Sequence, residues 1–188
     1  MGNNGANLNL SYICGESVLL IMKDIISVRR YDSPCGPLTL GSSGDRLCLC
    51  DWRCAKNSDR AVRSIESALN AVVEERQSAV LDRAASLLDR YFSGERVEFD
   101  IPLLFVGTDF QKIVWNELLG IPYGSTISYA ALSGRIGRPE AVRAVANVVG
   151  ANVMSIFVPC HRIVGSDGSL TGYRGGMAAK QKLLDLEA

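Results

Sequence analysis

The spacing of apolar residues changes character once along the chain, near residue 105. Short alternating runs come first. Ile25 to Tyr31 reads as a strand, Pro37 to Leu40 as a second, and Leu47 to Trp52 as a third with side chains alternating between two faces. Asp32-Ser33-Pro34-Cys35-Gly36-Pro37 reads as a turn from its Pro and Gly content, and Gly41 to Asp45 as a hairpin loop. From about Ser58 to Phe92 the period becomes helical, with Leu81, Ala84, Ala85 and Leu88 at i, i+3, i+4 and i+7, and Ser93-Gly94 ends the run. Phe99 to Leu103 fits a short strand or an extended linker.

From Gly107 onward the pattern is of helices separated by tight punctuation. Thr108 is a good N-cap, with Gln111 three residues on as its capping-box partner. The helix Asp109–Leu119 aligns Phe110, Val114 and Leu118 on one face, with Trp115 beside them, and Gly120 and Pro122 stop it. Ser128 caps a short helix Tyr129–Gly134, Gly137-Arg138-Pro139 turns the chain, and Glu140 to Val149 forms another helix. Two short helices joined by a Gly-containing turn make a helix-turn-helix candidate. The second is rich in alanine and valine, with Arg143 the one charge between Ala141 and Val149. Its periodicity favours a buried core helix; its composition also fits a small-residue helix that lies close against a DNA groove.

These elements describe an α+β protein. A small amino-terminal α/β domain with a short antiparallel sheet spans 24–104, and a mostly helical carboxy-terminal domain spans 105–188. Residues 1–23, Asn- and Gly-rich and then briefly apolar, read as an extension or as the product of a start upstream of Met22.

Composition narrows the class more than the chemistry. The 188 residues, 47% hydrophobic and 21% charged, suffice for a core without disulfides or metals. Net charge is zero, with −2 over residues 1–104 and +2 over 105–188, too weak an asymmetry to announce a nucleic-acid partner. The first residues lack a basic leader and Glu16 interrupts their apolar stretch, which is too short to span a bilayer. The six cysteines therefore read as free thiols in a reducing, cytoplasmic compartment, with no membrane partner. Cys48, Cys50 and Cys54 make an odd ligand set for zinc. Cys48 and Cys50 fall on one face of the predicted third strand, which suits core packing.

Chemistry concentrates in Ile156-Phe157-Val158-Pro159-Cys160-His161-Arg162-Ile163-Val164. A cysteine stands beside the only histidine, at the end of an apolar, β-like run. A thiol acts as a nucleophile when a base or a positive field makes it a thiolate, and His161 is the side chain with a suitable pKa. Sequence neighbours seldom face one another, so the link would run through a water molecule, with a carboxylate behind the imidazole to fix its tautomer. The same pair is also compatible with a cysteine packed inertly in the core. Pro159 stiffens the backbone before the thiol, and Asn152 precedes the run as a side chain able to hold a turn. The Gly-rich stretch Gly165–Gly176 lacks the GKS/T ending of a phosphate loop. It reads as a mobile wall around a site or as a plain surface loop, with Tyr173 available for stacking.

Pro159-Cys160-His161-Arg162 within VPCHRIVGSDGSLTGYRGG resembles the active-site signature of the O6-alkylguanine-DNA alkyltransferases, the methylated-DNA–protein-cysteine methyltransferases. The likeness runs nearly ungapped from Gly107 to Glu187, and more weakly through YDSPCGPLTLGSSGDRLCLCDW in the first half. It implies a helix-turn-helix of the winged-helix type. It also implies Cys160 as the alkyl acceptor, His161 acting through water, Glu187 as the carboxylate behind the histidine and Asn152 as the buttress of the turn. Tyr129 and Tyr173 would contact the extrahelical guanine, Arg143 would fill the gap left in the stack, and the backbone around Cys160, Ile163 and Arg174 would read the purine edge.

The implied partner is double-stranded DNA containing O6-alkylguanine, bound by a monomer through the minor groove. The implied reaction is single-turnover alkyl transfer from O6 of guanine, with O4 of thymine as a further candidate donor, to the cysteine, with no cofactor. Some members hold zinc through cysteine and histidine in the amino-terminal domain. With His161 as the sole histidine, that set is absent and no metal is expected. Two other classes compete: a binder of alkylated DNA that does not transfer, which should lack the cysteine, and a turnover cysteine hydrolase, which should carry an oxyanion motif.

Overall fold

β-Branched and aliphatic residues alternating with polar ones place Ile25–Ser33 (β1), Gly36–Ser43 (β2) and Arg46–Trp52 (β3) in an antiparallel meander with tight turns. The computed structural model describes residues 24–53 and 58–188, so the expected extension over 1–23 and Cys54 lie outside the described residues. The strands run longer than the sequence pattern indicated: β2 takes in Gly41 to Ser43, and only Gly44 and Asp45 turn the hairpin.

The single helical stretch expected over 58–92 is two helices with a strand between them. Ser58–Leu69 (α1) ends at Asn70, whose φ of 48° breaks the helix. Val72–Glu75 (β4) then pairs parallel to β1, giving the order β3-β2-β1-β4. Ala79–Phe92 (α2) follows. The apolar run Ala71-Val72-Val73 fits either period by itself; the free edge of β1 decides it by offering backbone partners from Ile25 to Val28.

The two cysteines of β3 do not share a face, contrary to the strict alternation expected of the strand. Gly41 pairs with Leu49 and Ser42 with Leu47, so Cys48 is an unpaired extra residue. That bulge shifts the alternation by one. Leu47, Cys50 and Trp52 pack toward α2 with Leu38, Leu40, Leu81 and Leu88. Cys48 and Leu49 pack toward α1 with Ile26, Ala61 and Ile65. The two thiols therefore belong to different clusters rather than to one face. Both remain buried and free, and burial pushes Cys48 up to about 12 and Cys50 well above an ordinary thiol.

The linker after α2 is extended, and Leu103 bridges Leu47 in parallel. Thr108 then opens Asp109–Leu119 (α3) with the full capping box: Gln111 N–H donates to the Thr108 hydroxyl and Thr108 N–H to the Gln111 amide oxygen. Tyr129–Arg135 (α4), capped by Ser128, leads through a 3-10 turn at Pro139–Ala141 into Val142–Gly150 (α5). The expected helix from Glu140 thus begins as a 3-10 turn and becomes α-helical only at Val142. Val114, Trp115, Leu118, Leu132, Val145, Val148 and Val149 form the core of this half. The Trp115 indole N–H donates to the Val148 carbonyl at 3.0 Å, fixing α5 against α3.

Ile127–Ser128 (β5) pairs parallel with Ile163–Val164 (β6), and Met177–Glu187 (α6) closes the fold. The two halves share backbone hydrogen bonds. Cys50 N–H donates to the Val153 carbonyl at 2.9 Å and Ser155 N–H to the Cys50 carbonyl at 2.8 Å. The outer edge of β3 thus finds its partner in the segment that leads to Cys160.

Candidate active site

Residues Ile156 to Val164, expected as a β-like run, form no strand before Ile163. Every residue from Met154 to Ile163 is buried, and the segment folds back on itself. Val158 N–H donates to the Met154 carbonyl and Phe157 N–H to that of Ser155. The fold-back places Ile156 at a φ of 73°, a strained conformation for a β-branched residue. Asn152 holds it in place. Its side-chain oxygen accepts from Met154 N–H at 2.9 Å, and its amide nitrogen donates to the Val158 carbonyl at 3.0 Å and to the Cys160 sulfur at 3.1 Å. Asn152 is therefore both the turn's staple and a donor to the thiol.

Cys160, His161 and Arg162 form a single 3-10 turn. The tight turn sends the three side chains in different directions. The Cys160 sulfur points to Asn152, while His161 Nε2 meets Glu187 Oε1 at 2.8 Å. Arg162 grips the same carboxylate through Nε to Oε2 at 2.8 Å and Nη2 to Oε1 at 2.9 Å, and donates from Nη1 to the Ile121 carbonyl at 2.6 Å. Tyr91 OH donates to Oε1 at 2.8 Å, and Gly124 N–H to Oε2 at 3.3 Å. Glu187, next to the last residue, is 4% exposed rather than frayed. Leu183 and Ala179 anchor α6 in the core and carry it there.

Burial would raise the Glu187 pKa, but hydrogen bonds from His161 and Arg162, and their charge, hold the carboxyl well below the usual range. It is a fixed anion, already neutralised by Arg162. The His161 pKa is lowered, chiefly by burial, with Arg162 and Lys180 adding to the effect against Glu187. The imidazole is thus neutral near pH 7. With Nε2–H committed to a carboxylate, Nδ1 is a bare base, and it has no protein partner. Burial pushes the Cys160 thiol up to about 11, while the Asn152 hydrogen bond and the Lys180 charge pull it down. The resting sulfur is a protected thiol with a neutral base beside it in the turn.

The remaining expected residues surround this centre unevenly. Tyr129 starts α4, half-buried, and its hydroxyl accepts from Thr171 at 3.2 Å. Arg143 projects from the exposed face of α5 with Ala144, Asn147 and Gly150, while Val145, Val148 and Val149 face inward. One helix thus presents a buried apolar face and an exposed face of small residues with a single arginine. Ile163 lies wholly buried in β6. Tyr173 is less free than a stacking ring in a loose loop. It is half-buried, edge-on to Trp52 at 6.0 Å and to His161 at 6.5 Å, and its hydroxyl accepts from the Trp52 indole at 3.3 Å.

The Gly-rich wall is tied to β3. Arg174 clamps Asp51 through both its oxygens at 2.5 and 2.6 Å. Gly175 admits the Trp52 indole so closely that a Cβ there would sit 2.6 Å from the ring. Lys180, fully buried, ties the wall's far side by donating to the Ile163 and Thr171 carbonyls at 2.5 and 2.9 Å.

Sequence reasoning gave no role to Arg162, Tyr91, Lys180, Asp51 or Trp52. Arg162 carried a signal, a charge in an otherwise apolar stretch, which demands a buried counter-charge. Tyr91 carried none, since its partner lies 96 positions away. Two clefts of about 770 and 710 Å³ open nearby, one beside Pro159 and Arg162 and one between α1 and α5, but Cys160 lines neither. Cys160 itself is 4% exposed and packs against the half-buried Tyr129 and Tyr173.

Comparison with known proteins agrees over nearly the whole described chain. The family model for the 6-O-methylguanine DNA methyltransferase ribonuclease-like domain matches residues 26–105, and that for the DNA binding domain of the same family matches 109–188. A methylated-DNA–protein-cysteine methyltransferase of Mycobacterium bovis is 42% identical over 163 residues, covering 87% of this chain and 93% of its own. The inducible Bacillus subtilis enzyme of that name is 50% identical over 107 residues, covering 57% and 60%. Crystal structures of the Mycobacterium tuberculosis O6-methylguanine methyltransferase and of the same organism's OGT in complex with DNA superpose with TM-scores of 0.72 and 0.73. Each is 41% identical and covers 86% of this chain and 92% of its own.

Proposed function

The chain belongs to the 6-O-methylguanine DNA methyltransferase family, whose members repair DNA by moving an alkyl group to a protein cysteine, and we propose that Cys160 is that acceptor here. The observation that carries this is the Cys160-His161 turn backed by a buried, arginine-neutralised Glu187. In this reading Nδ1 of His161 takes the thiol proton through a bridging water. The sulfur attacks the alkyl carbon, the S–C bond forms as the C–O6 bond breaks, and the electron pair returns to the ring, which takes up a proton to become guanine. Glu187 keeps Nε2–H in place and stabilises the imidazolium that forms. Asn152 donates to the developing thiolate. The thioether has no leaving step, so each molecule reacts once.

The DNA-facing roles follow the exposed surfaces. The small residues on the outer face of α5 would permit close approach to a groove, and the exposed Arg143 among them would occupy the space of a base that has left the stack. Unstacking costs a few kcal/mol, which an inserted side chain offsets. Tyr129 and Tyr173 would hold the extruded base, with the backbone at Cys160, Ile163 and Arg174 reading its edge. The part from about residue 105 carries DNA and chemistry; the part before it braces the active-site turn through the edge of β3. No described helix is long and apolar enough to cross a membrane, and we place the protein, as a monomer, in the cytoplasm with its DNA substrate.

Intact-mass spectrometry after mixing with an oligonucleotide carrying O6-methylguanine tests the assignment. One CH2 should be gained, map to Cys160, and be absent in Cys160→Ser. Unchanged mass with tight binding would instead indicate a non-transferring sensor.

A further inference from the structure

The carboxylate behind the histidine receives five hydrogen bonds, and one of them comes from the other half of the chain. His161, Arg162 and Gly124 all lie after residue 105. Tyr91, on the last turn of α2, does not. It is fully buried, and its ring is fixed by Phe92 at 5.3 Å, Phe99 at 5.5 Å and Tyr123 at 6.3 Å. Its hydroxyl bonds to Oε1, the same oxygen that accepts from His161 Nε2. Tyr123 meanwhile secures the end of α6, its hydroxyl donating to the Leu186 carbonyl at 2.9 Å.

We infer that Tyr91 is a positioning residue that tunes the base: by sharing Oε1 it limits how strongly Glu187 holds the imidazole and so keeps His161 neutral. This rests on the reading of Cys160, His161 and Glu187 as the transfer machinery. The physical reason is competition for one oxygen's charge. Each additional donor to Oε1 drains density from it and weakens its pull on the Nε2 proton. Burial, then the Glu187 charge and hydrogen bond, raise the Tyr91 pKa, so the phenol remains a donor throughout the working range.

The charged and titratable groups facing the pair are few. Arg162 and Lys180 oppose protonation of His161 and Glu187 favours it. Tyr123 faces Glu187 with Arg96 and Arg162 against its ring, and Tyr173 meets the His161 ring from the wall. Among these, Tyr91 is the neutral donor that a single-atom change removes while the aromatic packing stays.

Because His161 is the only histidine, its ring resonances need no assignment. Two Tyr91 replacements in the full-length protein act in opposite senses: Tyr91→Phe removes the donor, and site-specific 3,5-difluorotyrosine strengthens it. Proton and nitrogen NMR at neutral pH should show the Nε2–H proton moving downfield in Tyr91→Phe and upfield in the fluorinated protein. In single-turnover transfer, the acid limb of the pH–rate profile should rise by roughly half a unit in Tyr91→Phe and fall in the fluorinated protein. A purely structural role would lower the plateau in both and leave the limb in place. Resonances that stay put, or that move the same way in both proteins, overturn the inference. Should Tyr91→Phe fail to fold, the fluorinated protein decides alone. The NMR shifts need no transfer, so a wild type that takes up no alkyl group would sink the functional reading separately.

Discussion

Asn152→Ala separates the two tasks assigned to Asn152. The side chain is 1% exposed and makes three hydrogen bonds. Truncation strands the buried Met154 N–H, while the Val158 carbonyl keeps the Cys160 N–H at 2.7 Å. One such orphan costs about 1–3 kcal/mol, so the variant should lose roughly that much of a total near 5–15. It should still fold at 25 °C, with a clearly lower urea midpoint. The third bond acts on chemistry. A donor to a charged sulfur is worth about 1.5–3 kcal/mol, which is a rise of about one to two units in the thiol pKa. With the resting thiol at about 11, a reaction that passes through thiolate should slow by about 10- to 100-fold at neutral pH. Urea unfolding followed by single-turnover transfer at several pH values reads both effects on one sample. A protein with the lowered urea midpoint but wild-type transfer at every pH would refute the thiolate role and leave Asn152 a staple only.

Two further expectations follow from the same centre. Gly124 has a φ of 71°, and a Cβ there would lie 2.7 Å from the Glu187 carbonyl, so Gly124→Ala should push the end of α6 away. Transfer should fall at least tenfold with little change in DNA affinity; unaltered transfer would show that the carboxylate's placement is not critical. Stability should decline on acidification. The folded pKa values of both His161 and Glu187 lie below their unfolded ones, near 6.5 and 4.3, so the unfolded chain binds more protons as pH falls. The His161 contribution is present above about pH 6.5 and should cost up to about 1 kcal/mol by pH 5.5, with Glu187 adding below about pH 4.3. A urea midpoint unchanged between pH 7.5 and 5.5 would contradict the neutral, buried imidazole.

Local signals in the sequence determined local structure. The Thr108–Gln111 capping box, the Ser128 cap and the stop at Gly120 and Pro122 act within a few residues of themselves, and α3 and α4 begin where those signals stand. The Pro-Cys-His-Arg turn was legible as chemistry because its members are adjacent, and the family likeness carried Glu187 along with them.

What depended on distant partners was not legible. Val72–Glu75 became a strand because β1 had a free edge, and Cys48 left the face of Cys50 because a bulge moved the register by one residue. The run before Cys160 suited a strand by composition, yet folded into a strained turn because Asn152 and the edge of β3 satisfied its backbone. Tyr91, Asp51 and Trp52 joined the site only through packing of one half against the other. A periodic pattern reports which face of an element is apolar, but a buried polar group must be met by whatever donor or acceptor the tertiary fold delivers. That pairing is fixed by three-dimensional proximity, which no spacing along the chain encodes.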